Sequence, residues 1–243
     1  DGLMSTKPDA WTLSPQLTAA PELWRGCVMC LPFWNIEPSE IDIASGRVIT
    51  PLVDTSGSID KDMGINGVRA FANNGSDSNT GAYYEFSVGD YNLTGKNLTL
   101  FAVAQVDRLS SNRSGSQDQV LWGWSANQYA PYFNNNNQIQ LWNGSSTGGS
   151  TSFQAGELYS LISIFDFSSS EFTLYINGVF NNTLGSFNSL SASQKIRLFQ
   201  EGGTTRSFEG RCEIAAIWDR KLTDGEMQQL YEDPFAMLRP AGF

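Results

Sequence analysis

The stretch that most constrains this chain lies near its end, where Ser207 to Phe235 reads S-F-E-G-R-C-E-I-A-A-I-W-D-R-K-L-T-D-G-E-M-Q-Q-L-Y-E-D-P-F. From Glu213 the residues alternate, with Ile214, Ala216 and Trp218 on one face and Glu213, Ala215 and Ile217 on the other. That is the period of a strand, here one buried on at least one side. Thr223 followed by Glu226 forms a capping box that opens a short helix, whose Met227, Leu230 and Tyr231 fall on one face. Pro234 closes it.

The rest of the chain is suited to the same architecture. Its 243 residues are enough for one large all-β domain, or a domain with an arm. Charged residues are only 16% while glycine numbers 23 and aromatics reach 12%, a balance expected of many short strands joined by polar turns. A net charge of −10 without a basic cluster opposes phosphate contacts, so nucleic acid is excluded as a partner. No apolar run approaches the roughly 18 to 20 residues of a membrane-spanning helix, and no export signal is legible; a soluble protein is expected, with no membrane partner. Cys27-Val28-Met29-Cys30 has the spacing of a redox or zinc half-site, yet it sits in an apolar run without a second pair and without any histidine in the chain. Buried thiols are the preferred reading.

Residues 1–24 set Trp11, Leu13, Leu17, Leu23 and Trp24 among Pro8, Pro15 and Pro21 with neither regular period. This predicts an extended arm, packed on its own domain or reaching a neighbouring subunit. Gly26 to Trp34 suits a core strand. Turn residues dominate from Asn35 to Phe86, around strands at Gly67–Phe71 and Tyr83–Phe86. Beyond them the pattern predicts a strand at Leu98–Val106, an exposed polar loop at Arg108–Asp118, and a hairpin in which Val120–Trp124 and Gln138–Trp142 flank Asn134–Asn137. Glu157–Phe165, Glu171–Phe180 and Ile196–Phe199 complete the set.

The order Ile217-Trp218-Asp219-Arg220, Leu222-Thr223-Asp224 and Tyr231-Glu232-Asp233-Pro234-Phe235, with Tyr175-Ile176-Asn177-Gly178-Val179 upstream, resembles laminin G-like domains of the concanavalin A-like type. The matches cover roughly residues 25 to 235. The resemblance implies an all-β antiparallel jelly-roll sandwich over 25–243 with one C-terminal helix at about 224–232, preceded by the arm at 1–24. It also implies that Asn177-Gly178 makes a hairpin turn and that the first strand lies beside the last. Cys27 or Cys30 would then approach Cys212, where one bridge is conceivable, although a reducing cytoplasm argues against it.

Pro21-Glu22-Leu23-Trp24-Arg25-Gly26 and Leu230 to Pro240 further resemble stand-alone laminin G-like proteins of tailed bacteriophages. This second resemblance implies a non-enzymatic virion protein, assembled in the host cytoplasm as a capsid decoration, head fibre or tail component. Its partners would be capsid or tail subunits and further copies of itself, gripped through Trp11, Leu13, Leu17, Leu23 and Trp24. The runner-up is a secreted, extracellular carbohydrate-binding lectin module that touches surface glycans, and a glycoside hydrolase comes third.

Chemistry is sparse. Glucanases of this fold type place paired acids along one strand, and only Glu40-Ile41-Asp42-Ile43 is similar, but Ala44-Ser45-Gly46 stands where the second catalytic carboxylate belongs. The absence of histidine removes Ser-His-Asp chemistry and most zinc sites, so neither enzyme activity nor a cofactor is expected. Calcium has candidate turn acids in Asp54, Asp60, Asp62, Asp77 and Asp90 but no recognisable loop. Asn92–Thr94 and Asn97–Thr99 read as glycan acceptors or as turns. Trp122, Trp124, Tyr129, Tyr132 and Trp142, set about Asn134, supply the stacking faces and amides of a sugar-binding surface. Trp122 and Trp124 share a face, and the preferred reading of that face is the core.

Overall fold

The structure is a computed structural model that describes residues 20–33, 39–53, 58–61, 68–71, 82–109, 118–124, 130–143, 147–185, 190–200 and 206–239. Trp11, Leu13, Leu17 and Tyr129 lie outside the described residues. The chain enters through a single helical turn, α1 (Pro21–Trp24), and then β1 (Cys27–Leu31), β2 (Glu40–Ile41), β3 (Val48–Ile49), β4 (Leu52–Val53), β5 (Ser58–Lys61), β6 (Val68–Phe71) and β7 (Ala82–Ser87). There follow β8 (Leu98–Val106), β9 (Gln119–Val120), β10 (Trp122–Trp124), β11 (Ala130–Phe133), β12 (Gln138–Trp142) and β13 (Thr147–Ser152). The last strands are β14 (Leu158–Asp166), β15 (Glu171–Ile176), β16 (Val179–Gly185), β17 (Lys195–Leu198) and β18 (Gly210–Trp218), before helix α2 (Asp224–Glu232). Every pairing among the described residues is antiparallel.

The expected antiparallel sandwich is the fold observed. The larger sheet has eight strands, in the order β16-β15-β14-β8-β18-β6-β5, with β1 also on β18. β18 pairs with β8 along its length, with β6 through Gly210–Cys212 and with β1 through Ala215–Trp218. The first and last strands are therefore adjacent, as the resemblance implies. The second layer comes in two four-stranded pieces, β10-β17-β7-β4 and β13-β12-β11-β9. Gln119–Trp124 joins them: β9 pairs with β11 and β10 with β17, so one strand interrupted at Leu121 changes neighbours midway. The predicted hairpin of Val120–Trp124 with Gln138–Trp142 is corrected here. β12 folds back on β11, with Phe133 facing Ile139 across the Asn134–Asn137 turn.

Alternation on β18 gives the large sheet two buried faces. Cys212, Ala215 and Ile217 enter the core between the layers, with Leu100, Phe165, Trp122 and Trp124. Ile214, Ala216 and Trp218 enter a second core, under α1, α2 and the C-terminal turn, with Leu23, Leu230 and Met237. A bulge between Cys212 and Ile214 resets the alternation, so Cys212 lies in the inter-layer core and Cys30 in the helix-side core. The conceivable disulfide to Cys212 is thereby corrected. All three cysteines are free thiols, and burial pushes each pKa up.

Two local signals fold as the sequence dictates. Asn177 and Gly178 both take positive φ, 51° and 74°, as a tight turn between β15 and β16 requires. The strand read as Glu171–Phe180 thus divides there. Thr223 caps α2, its side chain accepting from the Glu226 N–H while the Glu226 carboxylate accepts from the Thr223 N–H. Met227 and Leu230 are buried, whereas Tyr231, read on the same face, is 41% exposed. Its ring covers Gly178 instead: a Cβ there would sit 2.7 Å from Tyr231 Cδ1.

The end of the predicted arm belongs to the body. Leu23 is fully buried, and its carbonyl accepts from Trp218 Nε1 at 2.5 Å. Trp24 Nε1 donates to the Met237 carbonyl at 2.7 Å. Arg220 donates to the Arg25 and Glu22 carbonyls at 2.6 and 3.2 Å and binds both Glu226 oxygens at 2.8 and 2.7 Å. Leu23 and Trp24 thus make intramolecular contacts with the last strand and the C-terminal turn.

Candidate functional site

The predicted sugar-binding residues separate by face. Trp122 and Trp124 are each 1% exposed and point into the inter-layer core, where Trp124 meets Phe165 edge-on at 5.1 Å and Trp122 lies 6.3 Å from Phe86. They cannot present a stacking surface. Tyr132 and Trp142 point the other way and, with Val120, form a separate apolar cluster on the outer face of the second layer.

Strand alternation builds this outer face. In β12, Ile139 and Leu141 are buried while Gln138, Gln140 and Trp142 are half-buried on the opposite side. Register sets Tyr132 beside both Gln140 and Val120. The Tyr132 hydroxyl donates to Gln140 Oε1 at 2.7 Å, and Gln140 Nε2 donates to Gln138 Oε1 at 3.3 Å. Asn134 Nδ2 reaches the same Gln138 oxygen at 3.4 Å, and Asn134 Oδ1 accepts from the Asn136 and Gln138 N–H groups at 2.9 Å each. Asn134 is only 6% exposed, so it braces the hairpin turn and orients Gln138.

Asp118 borders this ribbon, accepting from the Asn135 N–H at 3.0 Å and pairing with Arg206 Nε at 3.5 Å. Burial raises the Asp118 pKa, against the pull of Arg206 and the Asn135 N–H. Burial and the Asp118 charge likewise raise the Tyr132 pKa, opposed by a hydrogen bond with Thr147 and by Arg206. Tyr132 therefore stays a neutral phenol.

Further along the same layer, β7 and β17 face outward with Tyr83, Glu85, Lys195 and Arg197. Arg197 Nε lies 3.0 Å from Glu85, with its guanidinium 4.5 Å from the Tyr83 ring centre. Lys195 is 3.6 Å from the same Glu85.

Sequence reasoning named Tyr132, Asn134 and Trp142 but missed Gln138, Gln140, Thr147, Asp118 and Arg206. The signal was present in Gln138-Ile139-Gln140-Leu141-Trp142, whose strict alternation puts two amides and an indole on one face.

The glucanase-like acids are both withdrawn from solvent. Glu40 is 1% exposed and Asp42 fully buried. The Asp42 carboxylate accepts from the Cys30 and Ala44 N–H groups at 2.8 and 3.0 Å, from Tyr91 at 3.1 Å and from the Ser45 hydroxyl. Of the calcium candidates, Asp90 pairs with Arg47 at 3.8 Å, and the others lie outside the residues whose side chains are described. Among the described residues no group of three carboxylates or thiols could hold a metal.

A laminin G family model described as the concanavalin A-like lectin/glucanases superfamily matches residues 77–228. No curated protein matches this sequence. Among solved structures the chain is similar to Trypanosoma rangeli sialidase, at 13% identity and a TM-score of 0.65 over 87% of this chain and 33% of that one. It is also similar to domain 4 of AbnA, a GH43 extracellular arabinanase from Geobacillus stearothermophilus, in complex with arabinotriose. That match has 16% identity and a TM-score of 0.63 over 84% of this chain and 98% of that one. The chain thus spans about a third of the length of the sialidases it matches. At these identities the likeness is one of fold.

Proposed function

The chain belongs to the concanavalin A-like lectin/glucanases superfamily, and from that premise we propose that it is a non-catalytic glycan-binding module whose ligand lies along Tyr132, Gln140, Gln138 and Trp142. The observation that carries this reading is the ribbon of hydrogen-bonded amides beside a half-buried indole. Sugars need an aromatic face against their C–H surface and planar amides for their hydroxyls, and both are preset here by a rigid strand pair. The solved AbnA domain, in complex with arabinotriose, supports a binding role for the sandwich. The engagement of every Asp42 oxygen supports catalytic silence.

Affinity electrophoresis tests the reading. Gels containing soluble arabinan or β-glucan should retard the protein, and Trp142→Ala should migrate as in an empty gel while melting within a few degrees of the parent. Equal retardation of parent and variant would assign binding elsewhere.

A second reading gives this binding a setting on the surface of a virus particle. Its support is that the two stretches carrying the bacteriophage resemblance meet in space: Trp24 bonds Met237, and Arg220 holds the Glu22 and Arg25 carbonyls beside Glu226. In this reading residues 1–19 would grip capsid or tail subunits. Deletion of residues 1–19 should leave the sandwich folded and strip it from particles; full occupancy after deletion would rule out the arm as anchor.

A further inference from the structure

We infer that the outer face selects uncharged oligosaccharides and rejects those carrying carboxylates or sulfates, an inference that rests on the glycan-binding reading of that face. Its open groups are neutral donors. Gln138 Nε2, the second N–H of Gln140 Nε2 and Trp142 Nε1 have no acceptor among the described residues, whereas both Gln138 and Gln140 side-chain oxygens already accept hydrogen bonds. A sugar hydroxyl accepts from such amides and donates in turn to a remaining lone pair, so it completes the ribbon without transferring charge.

Among the described residues an anionic group finds no unpaired cation here. Along the described outer face each cation is paired: Arg206 with Asp118 at 3.5 Å, and Arg197 and Lys195 with the one Glu85 at 3.0 and 3.6 Å. Drawing a carboxylate out of water onto amides alone is unfavourable unless a cation meets it. It would also approach Asp118, whose charge reaches the Tyr132 hydroxyl against the opposing pull of Arg206, on a chain of net charge −10. By cancelling the charge of Arg206, Asp118 therefore acts as a sign filter at the border of the ribbon.

Titration with matched trisaccharides tests this: arabinotriose, cellotriose and laminaritriose against trigalacturonate and 3′-sialyllactose, at low and high salt. The expected result is that at least one neutral trisaccharide binds, that each acidic one binds at least tenfold more weakly, and that Gln138→Ala removes the neutral binding. Asp118→Asn should narrow the gap several-fold, as should added salt. If an acidic trisaccharide binds as well as the neutral ones, and through Gln138, the sign filter is overturned while the glycan-binding face stands. If none binds, or binding ignores both Gln138 and Trp142, the face itself is misassigned and the filter falls with it.

Discussion

Two polar networks in this molecule invite comparison. The one around Arg220 and Glu226 is closed: the guanidinium meets both carboxylate oxygens and the backbone carbonyls of Glu22, Arg25 and Lys221, and the carboxylate also takes the Thr223 N–H and hydroxyl. The ribbon on β11 and β12 is open, running from the Tyr132 hydroxyl through Gln140 to Gln138 and ending in amide N–H groups that meet no acceptor among the described residues. A saturated network has no capacity left for a ligand and serves to join the termini to the last strand. An open one, held rigid by strand register and by the braced Asn134 turn, leaves donors for something else. The difference separates a structural use of polar groups from a binding use.

The largest effect expected from breaking the comparison is on the closed side. Arg220→Ala leaves the Glu226 carboxylate, 7% exposed, without its bidentate partner and frees the Glu22 and Arg25 carbonyls. A loss of about 3 kcal/mol is expected in urea unfolding, because removing one partner of a buried pair strands the other. Next comes acid sensitivity. Burial acts to raise the Glu226 pKa, but the hydrogen bonds from Arg220 and Thr223 outweigh it and hold it at about 2, against 4.5 for the free side chain. Its folded pKa is depressed, so this stabilisation is complete above pH 4.5 and is lost as pH falls towards 2. It amounts to on the order of 3 kcal/mol. Glu226→Gln should flatten that segment of the stability–pH curve, and an unchanged curve would show the network to be less closed than drawn. A smaller effect, about 1 kcal/mol, is expected for Thr223→Ala, which removes the cap but leaves the ion pair. The smallest belongs to the open side: Gln138→Ala should cost about 0.5 kcal/mol, since its side-chain oxygen takes only the long contacts from Gln140 Nε2 at 3.3 Å and Asn134 Nδ2 at 3.4 Å and no described group relies on its amide nitrogen.

Much of this was legible in the chain because local chemistry and tertiary role agree. Leu98–Val106 is an apolar run with no competing breaker, Asn177-Gly178 supplies the positive φ of its turn, and Thr223 with Glu226 caps a helix from within four residues. What failed was information held by distant parts. Val120–Trp124 gives no local sign that it changes neighbours at Leu121, and β11, the true hairpin partner of Gln138–Trp142, was hidden behind Pro131, which demotes a run as strand. Helical spacing put Tyr231 with Met227 and Leu230, yet the bare Gly178 across the sheet edge drew its ring outward. At the candidate site, residue type drew attention to tryptophans that the core required, while two ordinary glutamines in alternation carried the polar face.

The most direct measurement is of the side-chain N–H resonances in a ¹⁵N-labelled sample titrated with arabinotriose, or with whichever neutral trisaccharide binds. Trp142, Gln138 and Gln140 should shift together with one affinity. The Trp24 and Trp218 indole signals, held by the Met237 and Leu23 carbonyls in the closed region, should stay in place. Shifts confined to residues off the β11–β12 face, with the Trp142, Gln138 and Gln140 signals unmoved at saturation, would contradict the assignment of the ribbon as the binding site.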